Sequence, residues 1–374
     1  MPEPYRADQV GSFLRPPEIK EARTALAEGR ISREELTAVE DEQILRVLEM
    51  QRSTGIDVFS DGEFRRGGWS TDFADAVDGY VQGRPAVAVQ FQGGAATATR
   101  SGPSAGTGAG VIGARLQQRR RLTEHESAFL RQHAHGPFKI TMPAPSYIVA
   151  RGFAPGVTDQ VYASRKDLLA DVSSIINAEV RALVAEGIRY VQLDNPHYPD
   201  YIDASRQAEW QRLGIDPQQA LLDDIEADNA AIAGVERDGV TFGMHFCRGN
   251  GAGGAWHTSG GYDPIAEAVF QGLNFDRLLL EYDSDRAGSF EPLRYVSADK
   301  TVVLGLVTTK AGVLESQEEL IRRIEAAAAF VPLERLTLSP QCGFASTLQG
   351  NPLTEDEQRR KLELVVDTAR KVWA

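Results

Sequence analysis

Short apolar runs alternate with longer amphipathic segments along most of the chain. This alternation is typical of repeated βα units, in which helices cover a parallel sheet. The apolar runs predict eight strands, at residues 6–10, 56–60, 138–142, 189–194, 240–246, 277–281, 301–307 and 335–339. The amphipathic segments predict helices at residues 33–53, 122–133, 165–186, 217–233, 264–271, 317–330 and 354–372.

Eight strands that alternate with helices predict an α/β fold, a (β/α)8 TIM barrel rather than an open doubly wound sheet. One stretch interrupts the alternation. Residues 78–119 are rich in Gly, Ala, Thr and Ser and contain two strand-like runs, 87–92 and 96–99. We expect a β-hairpin and Gly-rich insertion here, between the second and third strands. The chain shows no fixed repeat and no second core, so residues 1–374 are predicted to form a single domain.

The composition narrows the class of protein. A chain of 374 residues with 42% hydrophobic and 25% charged residues can bury a large core. The net charge of −13 argues against a nucleic-acid or anionic-membrane partner. Two cysteines in so long a chain are typical of a reducing compartment. With neither a membrane-length apolar run nor the features of a signal peptide, the chain is predicted to be cytoplasmic.

Candidate chemistry lies where the predicted strands end, because the loops there form the mouth of a parallel barrel. The fifth strand ends in Met244-His245-Phe246-Cys247-Arg248-Gly249-Asn250. His245 and Cys247 share one face of an extended strand, since side chains alternate between faces. Glu281 ends the sixth strand, and Cys342, the only other cysteine, follows the eighth.

An imidazole, two thiols and a carboxylate at such strand ends predict a Zn²⁺ site made by His245, Cys247, Glu281 and Cys342. A site with two thiolates is a poor Lewis acid toward water and favours holding a substrate thiol as a thiolate. Other interpretations are a buried cysteine beside a core histidine, or a redox or nucleophilic Cys342. Two further imidazoles could replace a ligand, those of His197 and His257.

Substrate contacts are predicted at other strand ends. Glu63 and Asp194, after the second and fourth strands, could together hold an ammonium group. Ser12, after the first strand, could contact a carboxylate, although Gly-Ser is often only a turn. Lys310, after the seventh strand, could stabilise a leaving group. The alternative for the two carboxylates is ion pairing with loop arginines, namely Arg65, Arg66 or Arg286.

Several motifs in order resemble the C-terminal catalytic barrel of the cobalamin-independent methionine synthase family. These motifs are Val10-Gly11-Ser12, Cys247-Arg248-Gly249-Asn250, Glu281-Tyr282-Asp283-Ser284 and Ser339-Pro340-Gln341-Cys342-Gly343-Phe344. The resemblance covers nearly the whole chain and is greatest to the single-barrel branch. It implies zinc ligands at the four residues proposed above, and homocysteine contacts at Ser12, Glu63 and Asp194. It also implies methyl transfer from a 5-methyltetrahydrofolate polyglutamate to homocysteine sulfur without cobalamin.

The chain departs from the family pattern at positions that concern the methyl donor. Full-length members carry an additional N-terminal barrel, whereas the present sequence predicts one barrel. Pro143-Ala144-Pro145 stands where the family has a tryptophan that stacks on the pterin. Lys310 stands where the family has a proton-donating histidine, and Asn195 where a glutamate follows the aspartate. These departures leave the metal ligands intact and the methyl donor open.

The sequence therefore predicts a zinc-dependent thiol alkyltransferase, an S-methyltransferase of methionine biosynthesis that methylates homocysteine from 5-methyltetrahydrofolate or another donor. One alternative is an enzyme of the epoxyalkane:coenzyme M transferase type, in which a thiolate opens an epoxide. Another is a metal-free enzyme similar to uroporphyrinogen decarboxylase, and a third is a zinc-binding protein without turnover. The sequence leaves open the proton donor, a possible homo-oligomer and a separate methyl-donor protein.

Overall fold

Six strands in chain order form one parallel sheet in the computed structural model, which describes residues 5–83, 91–93 and 110–374. The strands are β1 (Val77–Val81), β2 (Val111–Gln118), β3 (Ile140–Pro143), β4 (Tyr190–Asp194), β5 (Thr241–Phe246), β6 (Arg277–Glu281), β7 (Thr301–Val307) and β8 (Leu336–Pro340). The sheet has the order β3-β4-β5-β6-β7-β8. Its strands are almost wholly buried and rich in Val and Leu, as expected for parallel strands covered on both faces.

The first two predicted strands are not regular strands, but their segments join the two edges of the sheet. Ala7 forms an isolated parallel bridge with Leu338 of β8, and Phe59 forms one with Phe138, just before β3. The two segments also meet each other, since the N–H of Asp57 donates to the carbonyl of Ala7 at 3.0 Å. The prediction of regular strands at 6–10 and 56–60 was therefore wrong, while the predicted (β/α)8 fold is confirmed.

Side chains explain why these segments lack a regular ladder. The N–H of Ala7 donates to the Asp57 carboxylate at 2.8 Å, and the N–H of Gln9 donates to the Asp8 carboxylate at 2.7 Å. The N–H of Ser60 donates to the Gln51 amide at 2.9 Å. Backbone donors that are satisfied by nearby side chains are not available to a neighbouring strand.

Six of the eleven helices in the described residues begin at a residue whose side chain caps the first turn. The helices are α1 (Pro17–Ala27), α2 (Arg33–Thr54), α3 (Thr71–Ala76), α4 (Glu124–His133), α5 (Pro145–Gly152), α6 (Arg165–Ala185), α7 (Ala204–Arg212), α8 (Pro217–Ala230), α9 (Ala266–Gly272), α10 (Gln317–Ala328) and α11 (Glu355–Val372). Capping boxes begin α2, at Ser32 and Glu35, and α11, at Thr354 and Glu357. In the part of the chain that the structure describes, no helix is both long and apolar enough to cross a membrane.

The insertion begins and ends in an antiparallel pair. β1 pairs with β2, with Val77 opposite Gln118 and Val81 opposite Val111. The predicted hairpin runs lie outside the described residues, except for residues 91–92. Gln92 forms an antiparallel bridge with Trp256, so this short piece contacts the loop that follows β5.

Candidate metal centre and active site

Four side chains from three strand ends converge at the mouth of the barrel, and we call them the metal-ligand group. One ligand atom from each of the four lies within 4.8 Å of the others, and all four residues are buried. His245 lies in β5 and Glu281 ends β6, while Cys247 and Cys342 come directly after β5 and β8. The two sulfur atoms of the cysteines are 3.4 Å apart. The structure thus brings together every residue that the sequence proposed as a ligand.

The hydrogen bonds of the metal-ligand group leave acceptors free for a cation. Neither ring nitrogen of His245 has a hydrogen-bond partner among the described residues, nor does Oε2 of Glu281. The other carboxylate oxygen, Oε1, accepts the backbone N–H of Arg248 at 3.1 Å. The Arg286 guanidinium approaches Oε2 only to 4.0 Å and pairs with Asp283 at 3.2 Å. Because unpaired buried polar atoms are costly, these residues fit a bound divalent ion.

The protonation of the metal-ligand group also fits a cation. Burial, helped by the charge of Lys139, lowers the pKa of His245 to about 3, so the ring is neutral as a metal ligand must be. The hydrogen bond with Cys342, burial and nearby negative charge all raise the pKa of the Cys247 thiol. Two thiolates so close together would repel each other. A cation between them is what would allow both to ionise.

A hydrogen-bond network around Asn250 joins the loops that carry the two cysteines. Its side-chain N–H donates to the carbonyl of Gly343 at 2.7 Å and to the hydroxyl of Ser346 at 3.1 Å. Its Oδ1 accepts Lys310 Nζ at 3.1 Å and Asn351 Nδ2 at 2.9 Å. The side-chain amide is thereby fully used, and it ties the loop after β5 to those after β7 and β8. We call this arrangement the Asn250 network.

Lys310 is therefore held at the rim of the site. Besides its bond to Asn250, its ammonium donates to the carbonyl of Gly249 at 3.0 Å. The ammonium is close enough to lower the pKa of both Cys247 and Glu281, where it opposes the effect of burial. Sequence reasoning found Lys310 but missed Asn250 and Asn351 as members of the site. Their partners lie up to 101 residues away in the chain, so no local spacing could reveal them.

Glu63 and Asp194 lie near each other beneath the mouth. Thr141 donates to Oε1 of Glu63 at 3.0 Å, while Oε2 of Glu63 is buried and has no partner among the described residues. Gln192 donates to Asp194 at 2.8 Å. Burial raises the pKa of both carboxyls, and the negative charge of Glu63 further raises the pKa of Asp194. Two buried carboxyls that repel each other can be stabilised by an ammonium group between them.

The ion-pair alternative for Glu63 holds only in part. Of the three arginines considered, Arg66 alone approaches Glu63, at 3.7 Å. Arg66 forms closer pairs with Glu126, at 2.5 Å, and with Asp72, at 2.8 Å. Glu63 also has a φ of 59°, a left-handed conformation that is uncommon outside glycine and often marks a functional position.

Ser12 connects the loop that carries Glu63 to the loop that carries Cys342. It forms a parallel bridge with Gly62, directly before Glu63, and its carbonyl accepts the N–H of Phe344 at 2.9 Å. A Cβ at Gly343 would lie 2.0 Å from the Ser12 hydroxyl, so this close approach requires glycine. Ser12, the Glu63 loop and the Cys342 loop therefore form one continuous wall.

The two further imidazoles lie outside the metal-ligand group. His197 contacts the carboxylates of Asp200, at 3.1 Å, and Asp224, at 3.3 Å. His257 lies 3.4 Å from the other oxygen of Asp200. Both imidazoles thus lie against Asp200 rather than within the metal-ligand group, and the alternative in which one of them replaces a ligand is not what the structure shows.

Comparisons with known proteins match the chain along nearly its whole length. Residues 6–371 match the family described as "Cobalamin-independent synthase, Catalytic domain". The uncharacterized protein YxjH of Bacillus subtilis strain 168 is 39% identical over 372 residues, which cover 99% of this chain and 95% of that protein. A methionine synthase of Saccharolobus solfataricus is 24% identical over 365 residues, which cover 94% of this chain and 95% of that protein. The crystal structure of a candidate vitamin-B12 independent methionine synthase from Listeria monocytogenes has a TM-score of 0.75 and 28% identity, covering 100% of this chain and 99% of its own.

Proposed function

The chain belongs to the cobalamin-independent methionine synthase family, matching its catalytic domain, and on this basis we propose that it is a zinc-dependent S-methyltransferase of homocysteine. The observation that carries the proposal is the metal-ligand group, whose four ligand atoms lie within 4.8 Å of one another. The methionine synthase activity of the Saccharolobus solfataricus relative supports the same reaction class.

Zinc would be held by His245, Cys247, Glu281 and Cys342. When bound, it would keep the substrate sulfur in its nucleophilic thiolate form near neutral pH. The backbone N–H of Arg248 binds one oxygen of Glu281, and the other oxygen has no hydrogen-bond partner among the described residues, so it is available to the metal. The N–H of Gly249 donates to the sulfur of Cys247 at 3.3 Å and moderates its negative charge.

The amino-acid part of homocysteine would lie between the metal-ligand group and the two buried carboxyls. We assign the ammonium group to Glu63 and Asp194, because each has lost its hydration by burial and neither has an arginine within 3.5 Å. Ser12 would contact the substrate carboxylate from the wall that it shares with the Cys342 loop. Binding at both ends would orient the sulfur for attack, and such orientation can supply a large part of the rate.

Lys310 would supply positive charge to the methyl donor as its leaving group departs. Its ammonium is fixed by Gly249 and Asn250 at 3.0 and 3.1 Å, so its position is set before the donor arrives. The donor is 5-methyltetrahydrofolate or another carrier of an activated methyl group. Coenzyme M fits this pocket less well than homocysteine, since its sulfonate would face Glu63 and Asp194.

The proposal is tested by zinc-edge X-ray absorption of the zinc-loaded protein, alone, with homocysteine and with coenzyme M. We expect homocysteine to add one sulfur neighbour to the zinc and coenzyme M to add none. Unchanged spectra with both thiols would contradict the proposed function and favour zinc binding without turnover. Replacing Glu63 by Gln should weaken homocysteine binding by about 10-fold or more, the usual loss for a charge-assisted hydrogen bond. Replacing exposed Glu267 by Gln should leave it unchanged.

A further inference from the structure

A buried ammonium group is linked through one side chain to Asp194, one of the two carboxyls proposed to bind the substrate. It belongs to Lys139, directly before β3, whose side chain has no exposed surface. Its Nζ donates to Oδ1 of Asp8 at 2.8 Å, to Oε1 of Gln192 at 2.8 Å and to the carbonyl of Gln9. Because these bonds use all three N–H groups of the ammonium, its position is fixed.

The Lys139 ammonium determines which way the amide of Gln192 points. An ammonium group can only donate hydrogen bonds, so the amide oxygen Oε1 must face it. The amide nitrogen Nε2 then faces two acceptors, the carbonyl of Val10 at 2.7 Å and Oδ1 of Asp194 at 2.8 Å. A flipped amide would set its N–H groups against the ammonium and its oxygen against these two acceptors. The orientation of Gln192 is therefore set before any ligand binds.

The two oxygens of Asp194 differ in what they contact. Oδ1 accepts the bond from Gln192, whereas Oδ2 has no hydrogen-bond partner among the described residues and is not fully enclosed by them. Asp194 keeps 6% of its surface exposed, against 0% for Gln192. Asp194 also lies opposite the metal ligand His245 in the register of β4 and β5. The network therefore ends at an oxygen that a ligand beside the metal-ligand group can reach.

The electrostatic effects agree with the hydrogen bonds. Burial and the negative charge of Glu63 raise the pKa of Asp194, while the Gln192 hydrogen bond and the charge of Lys139 oppose this rise. Burial lowers the pKa of Lys139, and the charges of Asp8 and Asp194 oppose that change. Lys139 and Asp194 thus stabilise each other's charged form across the side chain that lies between them.

Two acceptors near each other remain unused. Oδ2 of Asp194 and Oε2 of Glu63 both lack a hydrogen-bond partner among the described residues. A network that served only to tie strands together would gain nothing from them, because an unpaired polar atom in a buried place is costly. An ammonium group brings several donors and a positive charge, so it would satisfy both oxygens.

We propose that Gln192 is a positioning residue that makes the site selective for thiols with an amino group: oriented by Lys139, its amide holds Oδ1 of Asp194 and leaves Oδ2 to bind the substrate ammonium. This inference rests on the proposed function. Glu63 and Asp194 contact the substrate, whereas Gln192 and Lys139 act through Asp194.

The test compares two thiols that differ in one group. Homocysteine and 4-mercaptobutanoate share the thiol, the carbon chain and the carboxylate, but 4-mercaptobutanoate has no ammonium group. Calorimetry with the zinc-loaded protein gives a dissociation constant for each thiol. We expect the wild-type protein to bind homocysteine more tightly. Gln192→Glu should weaken homocysteine binding by about 10-fold and leave 4-mercaptobutanoate binding unchanged.

The choice of variants isolates the hydrogen bond to Asp194. Gln192→Glu keeps the side-chain shape and an oxygen for Lys139, but the new carboxylate cannot donate to Asp194 and repels it. Gln192→Met removes the donor without adding a charge and should show the same selective loss. Gln43→Glu is the matched control, at a buried glutamine of α2 whose Oε1 also accepts from a cation, Arg46, at 3.4 Å. This control should bind both thiols as the wild-type protein does.

The outcomes separate this inference from the proposed function. Failure of the wild-type protein to bind homocysteine at all would overturn both. Homocysteine affinity that is equal in the wild-type protein and in both Gln192 variants would overturn the positioning role and leave the function intact. Equal wild-type affinity for the two thiols would overturn the selectivity and leave thiol binding in place. Loss of zinc, or equal weakening of both thiols, in both variants would assign Gln192 a structural role and also overturn the proposal.

Discussion

The described residues contain two separate groups of acidic, imidazole or thiol side chains. Within each group the possible metal-binding atoms lie within 4.8 Å of one another, but the two groups differ in what balances their charge. One is the metal-ligand group. The other, which we call the arginine-paired group, consists of Asp72, His125 and Glu126. In the arginine-paired group the Arg66 guanidinium lies 2.5 Å from Glu126 and 2.8 Å from Asp72. In the metal-ligand group, His245 and Glu281 retain buried atoms without partners.

The comparison shows that proximity of ligand atoms does not by itself identify a metal site. Arg66 is a permanent cation on a tethered side chain, and it occupies the place that a metal would take. The metal-ligand group has two thiols and a neutral imidazole, with the nearest guanidinium at 4.0 Å from Glu281. We infer that the missing charge, more than the geometry, distinguishes the two groups.

The largest effect is expected when Arg66, the cation of the arginine-paired group, is replaced. Replacing Arg66 by Met leaves Glu126 and Asp72 buried without a counter-charge, which should lower the free energy of unfolding by about 3–5 kcal/mol. Added Zn²⁺ should recover part of this loss, because the group would then resemble the metal-ligand group. Urea unfolding with and without zinc measures both effects. Arg52→Met, which removes an exposed pair with Glu49, should change the unfolding free energy by less than about 1 kcal/mol. An Arg66 variant as stable as wild type would contradict the comparison.

Removal of one thiol should have the next largest effect. Cys342→Ser replaces a thiolate by a weak ligand, and we expect the zinc affinity to fall by about 100-fold. Expressed as a free energy, this loss is roughly a quarter of the zinc binding free energy of a four-ligand site. Competition with a chromophoric chelator measures the affinity. His125→Asn alters the arginine-paired group and should leave zinc affinity as it is in the wild-type protein. Equal losses in the two variants would mean that the groups do not differ in the way we infer.

A smaller effect is expected from the Asn250 network, which holds the two thiols in place from outside. Asn250→Ala removes the hydrogen bonds to Gly343 and Ser346, and the zinc affinity should fall by about 10-fold. Asn177→Ala is a suitable control, because Asn177 also donates to loop carbonyls, those of Ala230, Ala231 and Ala233. Asn177→Ala should lower the free energy of unfolding without changing the zinc affinity. Unchanged zinc affinity in Asn250→Ala would exclude a positioning role for this network.

The smallest effect concerns a third way to balance buried carboxylates, a proton on an imidazole. Although burial opposes it, hydrogen bonds to Asp200 and Asp224 raise the pKa of His197. The folded protein therefore binds the proton on His197 more tightly than the unfolded chain does, where a histidine has a pKa of about 6.5. The stabilisation is complete below that pH and is lost as the pH rises through the folded-state pKa. Urea unfolding across this range should show the decline, and His197→Gln should flatten it; an equal slope in both proteins would contradict the assignment.

The convergence of the four side chains could be predicted because each lies at or just after the end of a parallel strand. His245 and Cys247 are two residues apart at one strand end, and the barrel rule places Glu281 and Cys342 at the same mouth. The parallel sheet from β3 to β8 was predictable for a similar reason, since each strand is a continuous apolar run. The same reasoning failed at residues 6–10 and 56–60, where side chains of Asp57, Asp8 and Gln51 take the backbone donors.

The features that sequence reasoning missed depend on distant pairs. Arg66 meets Glu126 across 60 residues, and Asn250 meets Gly343 across 93. Residues so far apart in the chain show no periodicity or fixed spacing in the sequence that would indicate their contact. The proximity of Asp200 to His257 arises only when the loop after β5 folds back, which no strand or helix pattern encodes.

Anomalous diffraction at the zinc edge, from crystals of the protein purified with zinc, tests the central claim most directly. We predict one anomalous peak, lying between His245, Cys247, Glu281 and Cys342, and no peak beside Arg66. A peak among Asp72, His125 and Glu126, or the absence of a peak between the two cysteines in protein with bound zinc, would contradict the account.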